Sequence, residues 1–150
     1  MTINIAVIGF PPGSMSRILQ VLQRHDISVH FGIKPHDIML CFGDTAETPP
    51  PCSIAVAVLC DRVIMEQLRD MGCTVVTCGT ALTDTLSVSS IGEQSAAVSL
   101  QRSVTTLSGK EIEPCEIPVR LNGLSDSVII TAAAAMLLLC DIPPDCGYDI

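Results

Sequence analysis

The stretch IAVIGFPPGSMSRIL, residues 5–19, runs from an apolar strand through a Gly-Pro loop into the start of a helix. In α/β folds this order presents backbone N–H groups and the positive end of a helix to an anion. The pattern predicts a strand over Ile3 to Gly9. Ser14 stands where it can cap a helix whose apolar residues Met15, Ile18, Leu19 and Leu22 recur at i, i+3, i+4 and i+7. A phosphate-binding P-loop needs G-x-x-x-x-G-K-[ST], because the lysine reaches the phosphates and the hydroxyl holds magnesium. Counting from Gly9 puts Met15 in the lysine's place and Ser16 in the hydroxyl's, whereas counting back from Gly13 puts Ser14 in the lysine's place. Both registers lack the cation. The pattern G-x-G-x-x-G fails as well, since Gly9 and Gly13 are separated by two prolines that have no N–H to offer. The residues left as candidates for a small anionic ligand are Gly9, Gly13, Ser14 and Ser16.

Outward from this loop the strands come in two styles. ISVHFGI alternates Ile27, Val29 and Phe31 with Ser28 and His30, as a half-exposed strand does, while DIMLCFGD and SIAVAVLCD are apolar throughout and suit strands covered on both faces. Three prolines make TAETPPPC, residues 45–52, a loop. Asp61 follows the second apolar strand, placed either to meet a ligand at the carboxyl end of the sheet or to cap the next helix. In that helix Ile64, Leu68 and Met71 share a face, and Gly72 stops it before the strand CTVVTCG. After Thr80 the pattern changes to LSVSSI, AAVSLQRSVTTL and EIEPCEIPVRL, with LSGKE as a hairpin turn, and then to a helix in GLSDSVIITAAAAMLLLCDIPP stopped by Pro143 and Pro144. The expected fold is α/β: a small, mostly parallel sheet covered by helices, with a C-terminal antiparallel three-stranded meander and a buried helix. It is read as one domain over 1–150, with subregions 1–80 and 81–150.

A net charge of -8 without a basic cluster argues against nucleic acid as a partner. The longest apolar run, residues 128–140, falls short of a membrane span, so no membrane partner is expected. The opening MTINIAVIG has no secretory pattern, which makes the expected location cytoplasmic and the eight cysteines reduced and structural, the more so because none forms C-x-x-C. His25, His30 and His36 lack ligand spacing and read as surface residues, and Glu111, Glu113 and Glu116 as a solvated strand edge. No catalytic residue and no metal ligand is assigned, because no nucleophile motif is present.

From about residue 54 onward the order of AVAVLCDR, a helix to Met71, TVVTCGT, a meander and LNGLSDSVIITAAAAML resembles the middle, ATP-binding domain of the Mur ligase family. These are ATP-dependent amide-bond ligases of peptidoglycan synthesis. The resemblance implies a parallel sheet, a three-stranded antiparallel subsheet and a buried helix. Where the family carries His-Asn after its glycine, this chain has Ser125 and Asp126 following Gly123, with Ile129 at the second Asn. With the P-loop lysine missing too, the resemblance implies a degenerate domain that keeps the scaffold without ATP-driven ligation, has no confident cofactor, and serves in binding or protein interaction, as a homo-oligomer or beside a cell-wall or amide-ligase system. Two alternatives stand beside it. One is a nucleotide-binding component, using ATP and magnesium, of a ligase completed by another subunit. The other is an unrelated Rossmann-like or flavodoxin-like phosphate binder, which a structure without the meander would favour.

Overall fold

A computed structural model describes residues 1–150 apart from 33, 45, 46, 124 and 125. The expectations for Ile33 at the end of ISVHFGI, for Thr45 and Ala46 in the Pro-rich loop, and for Leu124 and Ser125 before the last helix lie outside the described residues. The fold is α/β, with a mostly parallel sheet, helices over it, an antiparallel meander and a buried helix. The chain divides into two compact units, Met1–Thr77 and Cys78–Ile150.

The first unit contains β1 (Thr2–Ile8), α1 (Pro12–Arg24), β2 (Ser28–Phe31), β3 (Ile38–Phe42), β4 (Ile54–Val58), α2 (Arg62–Asp70) and most of β5 (Thr74–Gly79). Its strand order is β2-β1-β3-β4-β5. β1 pairs in parallel with β2 (Ile3 opposite Val29) and with β3 (Ile5 opposite Ile38), and β3 with β4 (Met39 opposite Ala55). The β1-α1-β2 and β4-α2-β5 crossovers travel in opposite directions along the sheet. Right-handed connections therefore put α1 and α2 on opposite faces. Alternation along the strands agrees: Ile8, Met39, Cys41, Ala55 and Ala57 form one cluster with Ile64 and Leu68 of α2. Ile38, Leu40, Val56 and Val58, equally buried, point the other way. This double coverage is why β3 and β4 are apolar at every position. Met71 is only half-buried, so α2 anchors through Ile64 and Leu68, and Gly72 ends it at a φ of 73°.

α1 begins earlier than its sequence suggests. Ser14 is not the cap: the N-cap is Pro11, Pro12 opens the helix, and no side chain caps it. Pro12 carries a backbone angle already suited to the first helical position and lacks the N–H that would be left over there. The buried face is Met15, Ile18, Val21 and Leu22, with Leu19 half-buried.

In the second unit β6 (Leu86–Ile91), β7 (Ser95–Leu100) and β10 (Cys115–Arg120) form the antiparallel meander. The two long segments expected to meet at LSGKE are each split. Their inner ends form a separate hairpin, β8 (Val104–Thr105) with β9 (Glu111–Ile112), and a short β11 (Tyr148–Asp149) adds in parallel to β10. Glu116 is exposed on β10 opposite Ser99 of β7, outside the Val119–Arg120 stretch that pairs with β11, and accepts a hydrogen bond from the Ser89 hydroxyl. α3 (Ser127–Leu139) is capped by Asp126, whose Oδ1 accepts from the Ile129 amide at 2.9 Å. Ile129 to Leu139 are all buried, the Thr131 hydroxyl being satisfied by the Ser127 carbonyl at 2.8 Å. The helix ends before the prolines. Asp141 turns left-handed at a φ of 66°, and the Ile142 amide reaches back to the Leu137 carbonyl.

Candidate functional site

In an open parallel sheet ligands settle outside the carboxyl ends of the strands, where neighbouring connections leave in opposite directions. In the first unit that point lies between β1, whose chain leaves toward β2, and β3. Three strand ends meet there. β1 runs into Gly9, which is exposed at a φ of 77°, and then into Phe10, Pro11 and Pro12. β3 ends in Phe42 and Gly43, and the Gly43 amide donates to the Val58 carbonyl of β4 at 3.0 Å. β4 ends at Val58 and is followed by Leu59, a left-handed residue that is 54% exposed, and then by Cys60 and Asp61. The rings of Phe10 and Phe42 lie 5.2 Å apart at 42°, a tilted aromatic contact that closes the gap between the β1 and β3 ends.

The loop has the outline of an anion cradle but few donors. Of the four positions that leave free N–H groups at a helix start, two in α1 are Pro11 and Pro12. The amides of Gly13 and Ser14 remain, while Met15 N–H is spent on the Pro11 carbonyl at 3.0 Å. Gly13 is exposed, with nothing within 4 Å of where a side chain would begin. Ser14 is half-buried and Ser16 exposed, two residues apart on the helix and so directed differently. Met15, in the lysine's place by one register, is 9% exposed and anchors α1 in the core. A side chain holding a helix down cannot reach out to a phosphate.

The structure brings Gly9, Gly13 and Ser14 into one loop and helix start. Asp61 stands at the end of β4, where its Oδ1 accepts from the Ile64 amide at 2.9 Å and caps α2. That carboxylate already faces a positive helix end. The next residue, Arg62, is paired with Glu66 at 3.0 Å and is 91% exposed, a surface pair of small worth. Asp44 after β3 is exposed. Carboxylates on this rim oppose an approaching phosphate.

Other groups lie where sequence spacing did not lead. His36, expected on the surface, is buried at 8% exposure, and its Nδ1 has no hydrogen-bond partner among the described residues. None of the eight cysteines is in a disulfide. Cys60 Sγ donates to the Cys41 carbonyl at 3.3 Å, and the Cys60 thiol beside it holds the Cys41 thiol below its usual range while its own is pushed up. At the other end of the strands Cys52 Sγ and Cys73 Sγ are 3.1 Å apart, and burial together with Cys73 pushes the Cys52 thiol up to about 12. Among the described residues no three His, Cys, Asp or Glu side chains are grouped to hold a metal ion, and no helix is long and apolar enough to cross a membrane.

The second unit has a groove of about 1010 Å³ bordered by Ser95, Pro118, Arg120, Asn122, Cys146 and Tyr148. Its walls are built by β7, β10 and β11, with Arg120 paired to Asp149 at 3.3 Å. None of the five sequence-derived candidates lines it. No protein-family model matches this chain, and no curated protein matches it either.

Proposed function

We propose that the chain is a non-catalytic binding domain, a degenerate relative of the Mur ligase middle domain that retains the scaffold and has lost phosphoryl chemistry. The observation that carries this reading is the start of α1: two prolines at the N-cap and first helical positions, and a buried methionine where a phosphate-binding lysine would stand. Phosphoryl transfer depends on positive charge placed against the transferring group. The rim instead carries Asp44, Asp61 and an arginine engaged with Glu66. Support for the scaffold comes from the order of elements after residue 54: β4, α2, β5, a three-stranded antiparallel meander and a buried helix. On this reading the domain works through a protein partner or a second copy, in a cell-wall or amide-ligase setting. Isothermal titration with ATP and magnesium tests it. No heat of binding is expected, whereas micromolar, magnesium-dependent binding would transfer the assignment to a nucleotide-binding component of a split ligase.

One observation favours a second reading, an unrelated phosphate binder. The strand order β2-β1-β3-β4-β5 is that of flavodoxin-like sheets, whose ligand lies at the β1 and β3 ends. The meander that follows speaks for the first reading. If the Gly9 to Ser14 loop binds phosphate through its remaining amides, replacing Ser14 and Ser16 by alanine weakens titrated inorganic phosphate modestly. Unchanged affinity in that variant would place any phosphate site elsewhere.

A further inference from the structure

The strand ends opposite the candidate rim carry a pair of thiols that the binding role does not use. Cys52 lies just before β4 and Cys73 just before β5, adjacent parallel strands held at this level by the Thr74 amide donating to the Ser53 carbonyl at 2.9 Å. Neighbouring strands run about 4.8 Å apart. That spacing falls inside the Cα separation a disulfide spans. The sulfurs are 3.1 Å apart, and Cys73 Sγ donates to the Cys52 carbonyl at 3.1 Å. Both thiols are half-buried, so a small oxidant can reach them, and both pack on the cluster that holds α2 to the sheet.

We propose that Cys52 and Cys73 are an oxidation site, closing to a reversible disulfide with a hydroperoxide as the oxidant. In the first step the Cys73 sulfur attacks the peroxide O–O bond, because burial keeps the Cys52 thiol protonated, giving a sulfenic acid on Cys73 and water. In the second the other sulfur attacks the sulfenic sulfur, forming the S–S bond as the hydroxyl leaves, protonated, as a second water. Two thiols and one hydrogen peroxide become one disulfide and two waters. A dithiol reductant reverses the linkage by exchange. The bond ties β4 to β5 at their amino ends, and the ring it closes contains all of β4 and α2. The Gly9 to Ser14 loop lies at the opposite end of the strands, so oxidation stiffens the unit without blocking its rim.

The test uses the full chain, reduced, desalted and exposed to stoichiometric hydrogen peroxide under native conditions, with remaining thiols alkylated before trypsin digestion. Arg62 and Arg69 lie between the two cysteines, so digestion separates their peptides unless a disulfide joins them. Tandem mass spectrometry is expected to find Cys52 linked to Cys73, the link dissolving in dithiothreitol and forming about tenfold faster in folded protein than in urea, as held proximity requires. The oxidised protein should melt about 5 °C higher than the reduced one, since the ring restricts the unfolded chain. Cys52→Ser and Cys73→Ser should each abolish both the link and the shift. Separately alkylated Cys52 and Cys73 after oxidation, a link made instead to Cys41, Cys60 or Cys78, or equal rates in urea would overturn the proposal. Should the serine variants fail to fold, the wild-type peptide map and the urea comparison decide it alone.

Discussion

Replacing Asp61 separates its two roles at the end of β4. As the α2 cap, its Oδ1 accepts one hydrogen bond from the Ile64 amide at 2.9 Å, and Ile64 is itself a core residue at 1% exposure. Alanine at such a cap costs about 1 kcal/mol, within a range of roughly 0.5–2. The attraction between carboxylate and helix end is part of that figure and is not added to it. For a chain of this size about 1 kcal/mol corresponds to roughly 2–4 °C in melting midpoint. Asn keeps an acceptor in the same place, so Asp61→Asn should lose less than half of what Asp61→Ala loses. Thermal melts followed by far-UV circular dichroism measure both, and titration with inorganic phosphate runs alongside. If the residue is a cap, the midpoints fall in the order wild type, Asn, Ala, and phosphate binding is not weakened in either variant. An Asp61→Ala variant that melts like wild type, or an Asn variant as damaged as the Ala variant, would refute the capping assignment.

Two further outcomes follow from the second unit. Ala134 is fully buried on a helix without an exposed side along Ile129–Leu139, so Ala134→Leu should overpack it and cost about 1–3 kcal/mol in urea unfolding; a neutral result would mean that the core there has room. Hydrogen bonds from Ser108 and Thr106 lower the Asp141 carboxyl from its usual range, so its contribution is complete above about pH 4, the unfolded range, and is lost as pH falls through the lower folded value. Asp141→Asn should therefore lose less stability than wild type between neutral pH and pH 3 in thermal melts, and superimposable acid profiles would count against that linkage.

The parts of the fold that could be read from sequence are those where one side-chain period dominates. β3 and β4 are apolar at successive positions because both faces are covered, and Ile64 with Leu68 marks the buried stripe of α2. The start of α1 was misplaced because Ser14 is the better cap by residue type, yet Pro12 is already shaped for the first helical turn and its missing N–H costs nothing there. The hairpin β8–β9 breaks two segments whose alternation continues across the break, so periodicity alone cannot locate it. The thiol pair was invisible for a different reason. Cys52 and Cys73 are 21 residues apart in the chain and meet only because β5 lies beside β4. At the candidate site the missing cation was plain in the residues themselves, whereas the burial of Met15 and the capping by Asp61 needed the packed structure.

The burial of α3 also sets an order of events during synthesis. β6, β7 and β10 are complete by residue 120, but the helix that packs against β6 and β7 spans Ser127–Leu139. Until those residues leave the ribosome, the meander has one apolar face with nothing over it. The first unit, by contrast, has both of its helices within its first 70 residues. A nascent chain whose residues through Arg120 have emerged while Ser127–Leu139 have not would thus carry both helices of its first unit and an uncovered C-terminal meander, the stage at which a holding chaperone has most to bind.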